Sequence, residues 1–426
     1  MGAQGGDGCR AASAWVWGGG WGGKMEMGER IKEIAARSDP ATLVRCAATC
    51  GDVRRRVAGG QALRLRHAGR FVPSLLRGHL EARYTSNYRN VVLHLVDTTV
   101  PGTTKARVLT AADGFPPPPD GTNARRQSPL ASRDGLLLVC ITDWQPPREE
   151  QELRVCDLAT GRSQTLPPEP AFPGVAQKLW EPYVLLVGDG EAGGASGIRP
   201  FQVLKTNLVM SDHHRYLETQ TFSSEKGAWG EYTEIRAPHF RASALLRGGG
   251  KPLVAGGAVH WLCVTNSGCY VLKLHVRTAR AVVTALPMSF PCLAAHEWGV
   301  DYLLATTAAG GELMVLVADS RKKNNIYAWV QTKPTAKWTQ RPQVVMEYRA
   351  MLRFRNMRWS GTFDVKLRWF AERSGLVLLS SHGYGDFWLD LRSMEIVRWF
   401  PGAPGARSLP YEMDLASWVP TFSSTI

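Results

Sequence analysis

Residues 132–167 read SRDGLLLVCITDWQPPREEQELRVCDLATGRSQTLP, and this stretch decides the fold class. Gly135 leads into the apolar run LLLVCI, and a proline-containing loop follows it. A second run, ELRVCDL, ends in the polar turn ATGR before a third strand finishes near Pro167. Short apolar runs of this length, separated by Gly, Pro and Asp, are typical of antiparallel strands. The stretch therefore predicts a three-stranded antiparallel meander.

The same pattern returns at residues 255–287 and 372–401, and in part at 216–235. A small meander cannot bury both of its faces alone, so repeated meanders stack to complete a core. We assign residues 83–426 to a mainly antiparallel all-β domain that folds on its own. The repeats predict a β-propeller of about seven blades, and they also allow a large sandwich. Within this domain, FPPPPDGTNARRQSP (115–129) predicts a Pro-rich loop.

The segment before this domain has a helical pattern. After Asp39 and Pro40, apolar residues recur at a 3.6-residue spacing through Leu43, Ala47 and Cys50. Asp is a favoured N-cap, and Pro suits the first helical position because its missing N–H needs no partner there. Residues 28–82 therefore form a predicted helical module, and the Gly-rich residues 1–27 a disordered N-terminus. The whole chain is predicted to be an α+β multidomain protein.

The basic charge of the chain is local. The formal net charge is +14, and residues 37–89 contain eleven arginines, no lysines and three acidic residues. Such a concentration favours an acidic partner for the helical module. Residues 37–70 contain no Phe, Tyr or Trp. Because nucleic-acid binding combines basic with aromatic side chains, the pattern argues against a nucleic-acid partner.

The eight cysteines show no CxxC pair and no zinc-finger spacing with histidine. The sequence has no secretory signal and no apolar run near the ~18–20 residues of a membrane span. These features predict an intracellular protein, in the cytoplasm or nucleus, without membrane contact. They also predict free thiols, no bound metal and no cofactor.

No motif for catalysis is visible, since GxSxG, HExxH, P-loop and paired-carboxylate patterns are all missing from the sequence. The chain is therefore predicted to be a non-catalytic recognition protein. Large aromatic side chains on loops are frequent contacts for protein partners. Pro, Asp, Glu or Gly flank three tryptophans, and we predict these to be the substrate-binding ones: Trp144, Trp180 and Trp298.

Two parts of the chain resemble a known family. EIAARSDPATLVRCAATCGDVRRRV (33–57) is similar to the second half of an F-box. SRDGLLLV, LRVCDLATGRSQTLP, QTFSSEKGAW, GGAVHWL, YVLKL and SGLVLLSSHGYGDFWLDL resemble the β-propeller-type domain that follows the F-box in a large plant family. The resemblance implies a substrate-recognition subunit of a Skp–cullin–F-box ubiquitin ligase, whose β domain captures the protein to be ubiquitinated.

In that family the F-box helices bind the Skp-type adaptor, and the adaptor links them to cullin. Carried over to this sequence, the implied adaptor-binding residues are Ile31, Ile34, Pro40, Leu43, Val44, Ala47, Cys50, Val53 and Arg54. This sequence has Glu26 and Met27 where an F-box opens with Leu-Pro, and Val53 where many members carry Trp. The alternative hypothesis is a stand-alone protein-binding module with a vestigial F-box.

Overall fold

The computed structural model describes part of the chain, and all of that part lies within one compact unit, Gly69–Met413. The described residues run from 71 to 413 with these gaps: 72–74, 86–89, 98–104, 116–123, 146–147, 175–179, 181, 189–197, 212, 237–241, 249–250, 293–299, 308–310, 320–324, 333–334, 357–363, 382 and 402–407. The predicted N-terminus 1–27, most of the predicted module 28–82 and all nine residues predicted to bind the adaptor lie outside the described residues.

The largest sheet has eight strands and contains both the first and the last strand of the described chain. Its two halves are joined by a single parallel pair, Val91 with Arg126. We call the half that holds the first and last strands group 1 and the other half group 2. The strands of group 1 are β1 (Leu76–Tyr84), β2 (Val91–Asp97), β3 (Lys105–Val108) and β27 (Ser408–Glu412), and those of group 2 are β4 (Ala124–Arg133), β5 (Leu136–Gln145), β6 (Arg148–Asp157) and β7 (Arg162–Thr165).

Four further antiparallel sheets follow in chain order and are called groups 3 to 6. Group 3 contains β8 (Tyr183–Val187), β9 (Phe201–Met210), β10 (Arg215–Ser223), β11 (Ala228–Trp229) and β12 (Thr233–Arg236). Group 4 contains β13 (Leu245–Gly248), β14 (Leu253–Ala255), β15 (Ala258–Thr265), β16 (Gly268–His275) and β17 (Arg280–Ala285). Group 5 contains β18 (Val300–Thr306), β19 (Leu313–Asp319), β20 (Asn325–Thr332), β21 (Lys337–Trp338) and β22 (Gln343–Glu347). Group 6 contains β23 (Val365–Ala371), β24 (Leu376–Ser381), β25 (Gly385–Asp390) and β26 (Glu395–Phe400).

The described residues are mostly β, so the prediction of an all-β domain is confirmed. Interior strands such as β15 and β19 are buried along their whole length, which explains their nearly continuous apolar sequences. One short α-helix, α1 (Tyr348–Phe354), follows β22. No helix among the described residues is long and apolar enough to cross a membrane.

The core lies between neighbouring groups. Trp180 stacks on Trp261 with ring centroids 5.3 Å apart, and this contact joins group 3 to group 4. Leu76 packs with Trp369 and Phe400 in a cluster that joins group 1 to group 6. Each sheet therefore buries its faces against its neighbours, as the repeated meanders require.

The boundary predicted at residue 83 is wrong, because it falls inside β1. Leu76 to Glu81 of β1 pair with β27, and Gly78 to Tyr84 pair with β2. The sequence RGHLEAR has few β-branched residues, so propensity alone does not reveal this strand. Burial against β27 and β2 overrides that weak local signal.

The loop predicted at 115–129 is also partly wrong, since β4 begins at Ala124. Its Pro129 sits beside a register shift between Pro129 and Ala131. A proline lacks the N–H of a regular ladder, and strands accommodate it at edges and bulges. The dense prolines before Ala124 lie at 116–119, outside the described residues.

The cysteines differ from the expectation of free thiols at one place. Cys269, in β16, forms a disulfide with Cys292, and their Cα atoms are 5.8 Å apart. Among the described residues, Cys140, Cys156 and Cys263 form no disulfide. Burial raises the pKa of the Cys156 and Cys263 thiols to about 12, so both stay protonated at neutral pH.

The role of β1 gives a first prediction. A chain of residues 69–426 is expected to unfold in one cooperative thermal transition, because it keeps every described strand. A chain of residues 85–426 lacks β1, which leaves β27 without its sheet partner, so we expect a broad transition or aggregation. Circular dichroism melting of the two chains tests this. Equally cooperative melting of both would contradict the importance of β1.

Candidate functional site

A cavity of about 80 Å³ lies where one strand of every group approaches. Its walls come from β4, β8, β14, β18, β23 and β27 and from the turns next to them. A water molecule needs roughly 10–15 Å³, so the cavity has room for several waters or for a small group of a ligand. Leu, Val and Phe side chains line much of it, and the charged side chains cluster at the turns. We call these charged turns the mouth of the cavity.

Asp134 is the central acid of the mouth. Arg373 donates to it through two nitrogens, at 2.9 Å from Nε to Oδ1 and 3.1 Å from Nη2 to Oδ2. The Nε of Arg133 lies 3.7 Å from Oδ2, and Arg199 donates to the backbone carbonyl of Asp134. Burial alone would raise the pKa of Asp134, but the charges of Arg133, Arg373 and Arg199 hold it below its usual value. The acid is therefore ionised at neutral pH.

Two tight turns bring these side chains together. Asp134 and Gly135 both have positive φ angles, 48° and 83°, and form the two-residue turn between β4 and β5. Such turns match the twist of a hairpin, and Asp-Gly is a preferred pair for them. The turn between β23 and β24 carries Glu372, Arg373 and Gly375. Short turns fix the direction of the side chains that they carry.

Gly375 makes the second turn possible. Its φ is 72°, and a Cβ added there would lie 2.1 Å from the Phe71 ring. Any other residue at position 375 would clash with Phe71, which also makes an edge contact with Phe370. Close packing of Phe71, five residues before β1, therefore depends on a glycine next to the mouth.

A second ion pair links further groups. Arg133 donates to one oxygen of Glu372, and the other oxygen accepts the N–H of Val254 at 3.0 Å. These contacts connect group 2, group 6 and group 4. Asp301 of group 5 accepts the N–H of Leu367 in group 6 at 2.8 Å. Polar contacts thus join neighbouring turns and strands around the cavity.

Glu412, near the end of β27, completes the mouth. Its carboxylate accepts the N–H of Ser374 at 2.6 Å and that of Arg373 at 3.1 Å. Its backbone carbonyl accepts the N–H of Gly135 at 2.8 Å. Glu412 therefore joins group 1 to both turns of the mouth.

The mouth is dominated by paired charges. Asp134 and Glu372 hold arginines in fixed geometry, and an arginine fork held this way presents donors in defined directions. Lys251 also lines the cavity. No group of three or more metal-ligating side chains is found among the residues that the structure describes.

A second surface combines arginine with exposed apolar side chains. The guanidinium of Arg355 lies 3.2 Å from the centroid of the Trp399 ring, where α1 meets β26. Phe354 is 48% exposed and Val397 is 46% exposed. Arg353, in the same turn of α1, is exposed as well. Exposed apolar residues rimmed by charge are a common composition of protein-binding surfaces.

The three predicted substrate-binding tryptophans have different positions. Trp180 is buried, and its Nε1 donates to Thr206 Oγ1 at 3.0 Å, so its ring belongs to the core and not to an exposed loop. Trp144 lies in β5, not in a loop, and its side chain is outside the described part. Trp298 lies outside the described residues. Trp180 was predicted from its neighbours Glu181 and Pro182, and these neighbours do not reveal the stacking on Trp261 that buries its ring.

The charged residues of the mouth were missed in the sequence, although a signal exists. SRDG (132–135) and ERSG (372–375) both place two charged residues within three positions before the glycine that precedes an apolar strand. Equivalent turns of repeated meanders lie at the same end of their sheets, so their charges converge. Glu412 has no such motif, and only the pairing of β27 with β1 reveals its position.

Comparison with solved structures finds several distant likenesses. The NanB sialidase of Streptococcus pneumoniae is 13% identical with a TM-score of 0.30, covering 61% of this chain and 36% of its own. A post-proline cleaving enzyme of Rickettsia typhi is 9% identical with a TM-score of 0.36, and the match covers 88% of this chain and 58% of that enzyme. Oligogalacturonate lyase of Vibrio parahaemolyticus is 9% identical with a TM-score of 0.32, and the match covers 77% of this chain and 79% of the lyase. This chain spans less than two thirds of the first two proteins. No curated protein matches it.

The ion pairs of the mouth give a second prediction. Asp134→Asn keeps the shape and tolerates the positive φ, but it leaves Arg373 without its carboxylate and weakens the contact with Arg133. Removing one partner of a buried pair costs about 3 kcal/mol, and we expect that loss in the free energy of unfolding at pH 7. Urea denaturation measures it. The control is Glu152→Gln, whose partner Arg154 lies two residues away on the same strand, and a loss below about 1 kcal/mol is expected. Equal losses in both variants would contradict the prediction.

The family of the chain follows from a match over most of its length. A family model described as a domain of unknown function, DUF7595, matches residues 117–417. The matched region begins just before β4 and ends just after β27, so it includes groups 2 to 6 and the last strand of group 1. The predicted helical module precedes it. The chain belongs to the DUF7595 family.

Proposed function

We propose that this chain is a substrate-recognition subunit of a Skp–cullin–F-box ubiquitin ligase. The predicted helical module that precedes β1 binds the Skp-type adaptor and through it cullin. The β domain binds the protein that is to be ubiquitinated. Such a subunit performs no chemistry itself, and its assembly with cullin implies an intracellular location in the cytoplasm or nucleus.

The observation that carries the proposal is the order of two parts with different roles. An F-box-like sequence at 33–57 stands directly before a β domain that begins by Leu76. The module is short, and its Leu43, Ala47 and Cys50 lie on one apolar stripe. A module of that size has little core of its own, so an apolar stripe favours burial against a partner. The eight arginines between residues 37 and 70 suit an acidic adaptor surface.

For the fold, we propose a β-propeller of six blades, one for each group and one fewer than the repeats predicted. Two observations support this. The cavity has a wall strand from every group, and β27 at the end of the domain pairs with β1 at its start. Pairing of the last with the first strand lets a ring of small sheets close without leaving free ends. A propeller presents its turns at the two ends of the ring, where a target protein has access.

The target is proposed to bind at the mouth of the cavity and on the surface around Phe354. Both places combine oriented arginines with apolar groups. Arginines at the mouth are held by Asp134 and Glu372, while Arg355 is held by stacking on Trp399. Side chains that are fixed before binding lose less conformational entropy when a partner binds.

A second function is favoured by one feature of the module. Glu26 and Met27 stand at the Leu-Pro positions of the F-box. If this change abolishes adaptor binding, the chain is a stand-alone protein-binding module with a vestigial F-box. The two functions differ in one measurable property, the affinity for the adaptor.

The adaptor experiment gives a third prediction. Leu43→Asp removes about 1.5–3 kcal/mol of apolar burial and adds a charge at the contact, so adaptor affinity is expected to fall more than tenfold. Restoring the Leu-Pro pair through the double substitution Glu26→Leu and Met27→Pro is expected to strengthen binding. Calorimetric titration with a purified plant Skp-type adaptor measures wild type, the Leu43→Asp variant and the restored chain.

The control is Met288→Asp, which also places a charge on an apolar residue. Met288 is fully exposed in the β domain, so adaptor affinity is expected to stay at the wild-type value. Absence of binding by wild type and restored chain alike would reject the ligase function and leave the stand-alone module.

A further inference from the structure

A proline-rich segment follows the last strand of group 2. Residues 166–174 read LPPEPAFPG and come directly after β7. A proline fixes its own φ at about −65° and pushes the residue before it toward extended or polyproline II backbone. Every residue from 166 to 173 except Ala171 is a proline or precedes one, and none of them belongs to a helix or a strand. The segment therefore favours a polyproline II helix, which has about three residues per turn.

Three side chains spaced three residues apart contact the domain. Leu166 is buried in a core cluster that groups 2 and 3 share. The carboxylate of Glu169 accepts the Tyr183 hydroxyl at 2.6 Å, and the Nζ of Lys205 lies 3.4 Å from the same oxygen. That Nζ also lies 4.7 Å from the centroid of the Phe172 ring. The spacing of these contacts agrees with about three residues per turn, so one face of the segment is held on groups 2 and 3.

Backbone contacts fix both ends of the segment. The Nε1 of Trp229 donates to the carbonyl of Pro167 at 3.1 Å. At the other end, the N–H of Gly174 donates to the carboxylate of Glu218 at 2.9 Å. Glu218 is fully buried, so water competes little for this second contact. The segment is thus ordered by the domain itself.

At this period the prolines fall on the other two faces of the segment. Pro167, Pro170 and Pro173 follow one another at the three-residue spacing, and Pro168 and Ala171 repeat it one position later. All five residues are exposed. In each turn, one residue therefore contacts the domain, and the other two form apolar ridges that face solvent.

Ridges of this kind are what proline-recognising domains bind. Such domains, among them SH3, WW and EVH1 domains, dock PxxP segments in grooves lined by aromatic side chains. The segment contains two overlapping PxxP spacings, residues 167–170 and 170–173. Its only charged residue, Glu169, is held by Tyr183 and Lys205, so recognition depends on the prolines and not on charge. A segment that is fixed before binding also loses less conformational entropy when a partner binds.

We propose that residues 166–174 are a docking site for a partner domain that has an aromatic-lined, proline-binding groove. The partner covers the two exposed ridges, while the face with Leu166, Glu169 and Phe172 stays on groups 2 and 3. This site goes beyond the ligase function, because it requires neither the adaptor nor the mouth of the cavity.

Binding of purified proline-recognising domains to the full chain tests the proposal. Nuclear magnetic resonance of isotope-labelled SH3, WW and EVH1 domains shows which part of each domain makes contact. At least one domain is expected to bind through its aromatic groove, and its affinity is expected to change less than about twofold when salt screens charges. Absence of binding by every domain, contact outside the groove, or a steep loss of affinity in salt would overturn the proposal.

A variant of the shared proline gives the matched comparison. Pro170→Ala removes the proline that both PxxP spacings contain and keeps the backbone carbonyl to which Lys205 donates. Because the apolar ridge is interrupted, affinity for the domain is expected to fall at least about tenfold. The control is Pro342→Ala, at an exposed proline just before β22, and wild-type affinity is expected for it. Equal affinity of the Pro170→Ala variant and the wild type would reject the site.

A synthetic peptide decides the matter if the Pro170→Ala chain does not fold. A peptide of residues 164–174 carries both PxxP spacings but lacks the contacts that fix the segment. It is expected to displace the full chain from the domain, with a weaker affinity than that of the full chain. The same peptide with the Pro170→Ala substitution is expected not to displace it. Displacement by both peptides alike, or by neither, would contradict the proposal.

Discussion

The pairing of β27 with β1 is the constraint on which the rest of the structure depends. It brings together the two ends of a domain of more than three hundred residues, Gly69–Met413, and makes them one sheet. Every other group is an antiparallel sheet formed by strands that are close in sequence, so it forms from local contacts. The β1–β27 pair alone has to be made over the whole length of the domain. Long-range pairing of this kind is slow to form, because the intervening chain must be ordered first.

The charged mouth is a consequence of how the meanders turn. Hairpins that begin at equivalent positions place their turns at one end of their sheets, and the charges carried on those turns meet there. Asp134 and Glu372 each hold an arginine, so the charges near the cavity are balanced in pairs. A buried pair adds little net stability, but it fixes geometry, and fixed geometry is what recognition requires. The same contacts hold the groups together and orient the arginine donors.

The sequence predicted the interior strands well, because their apolar runs and glycine turns are local signals. Residues 132–144 and 372–381 formed the strands and turns expected of them. The failures have physical causes. β1 was missed because its strand propensity is weak, and burial against β27, which is distant in sequence, overrides that weak propensity. The start of β4 was missed because Pro129 is typical of a loop, although a bulge accommodates it within the strand. The Cys269–Cys292 bond also depends on tertiary proximity.

For the site, the sequence did not predict which residues the structure brings together. Trp180 was chosen from its neighbours in sequence, yet its stacking on Trp261 of group 4 buries it. Asp134 and Arg373 lie 239 residues apart, so only the arrangement of the groups in space reveals their contact. The helical structure and the adaptor-binding role of residues 28–70 remain predictions.

The most direct test of the account is removal and return of β27. A chain that ends at residue 401 lacks this strand and, with it, Glu412 and the partner of β1. We predict that it loses cooperative thermal unfolding, and that an excess of a synthetic peptide of residues 406–414 restores the transition in proportion to its concentration. A shortened chain that melts as cooperatively and at the same temperature as the whole chain, with no response to the peptide, would contradict the central role of the β1–β27 pair.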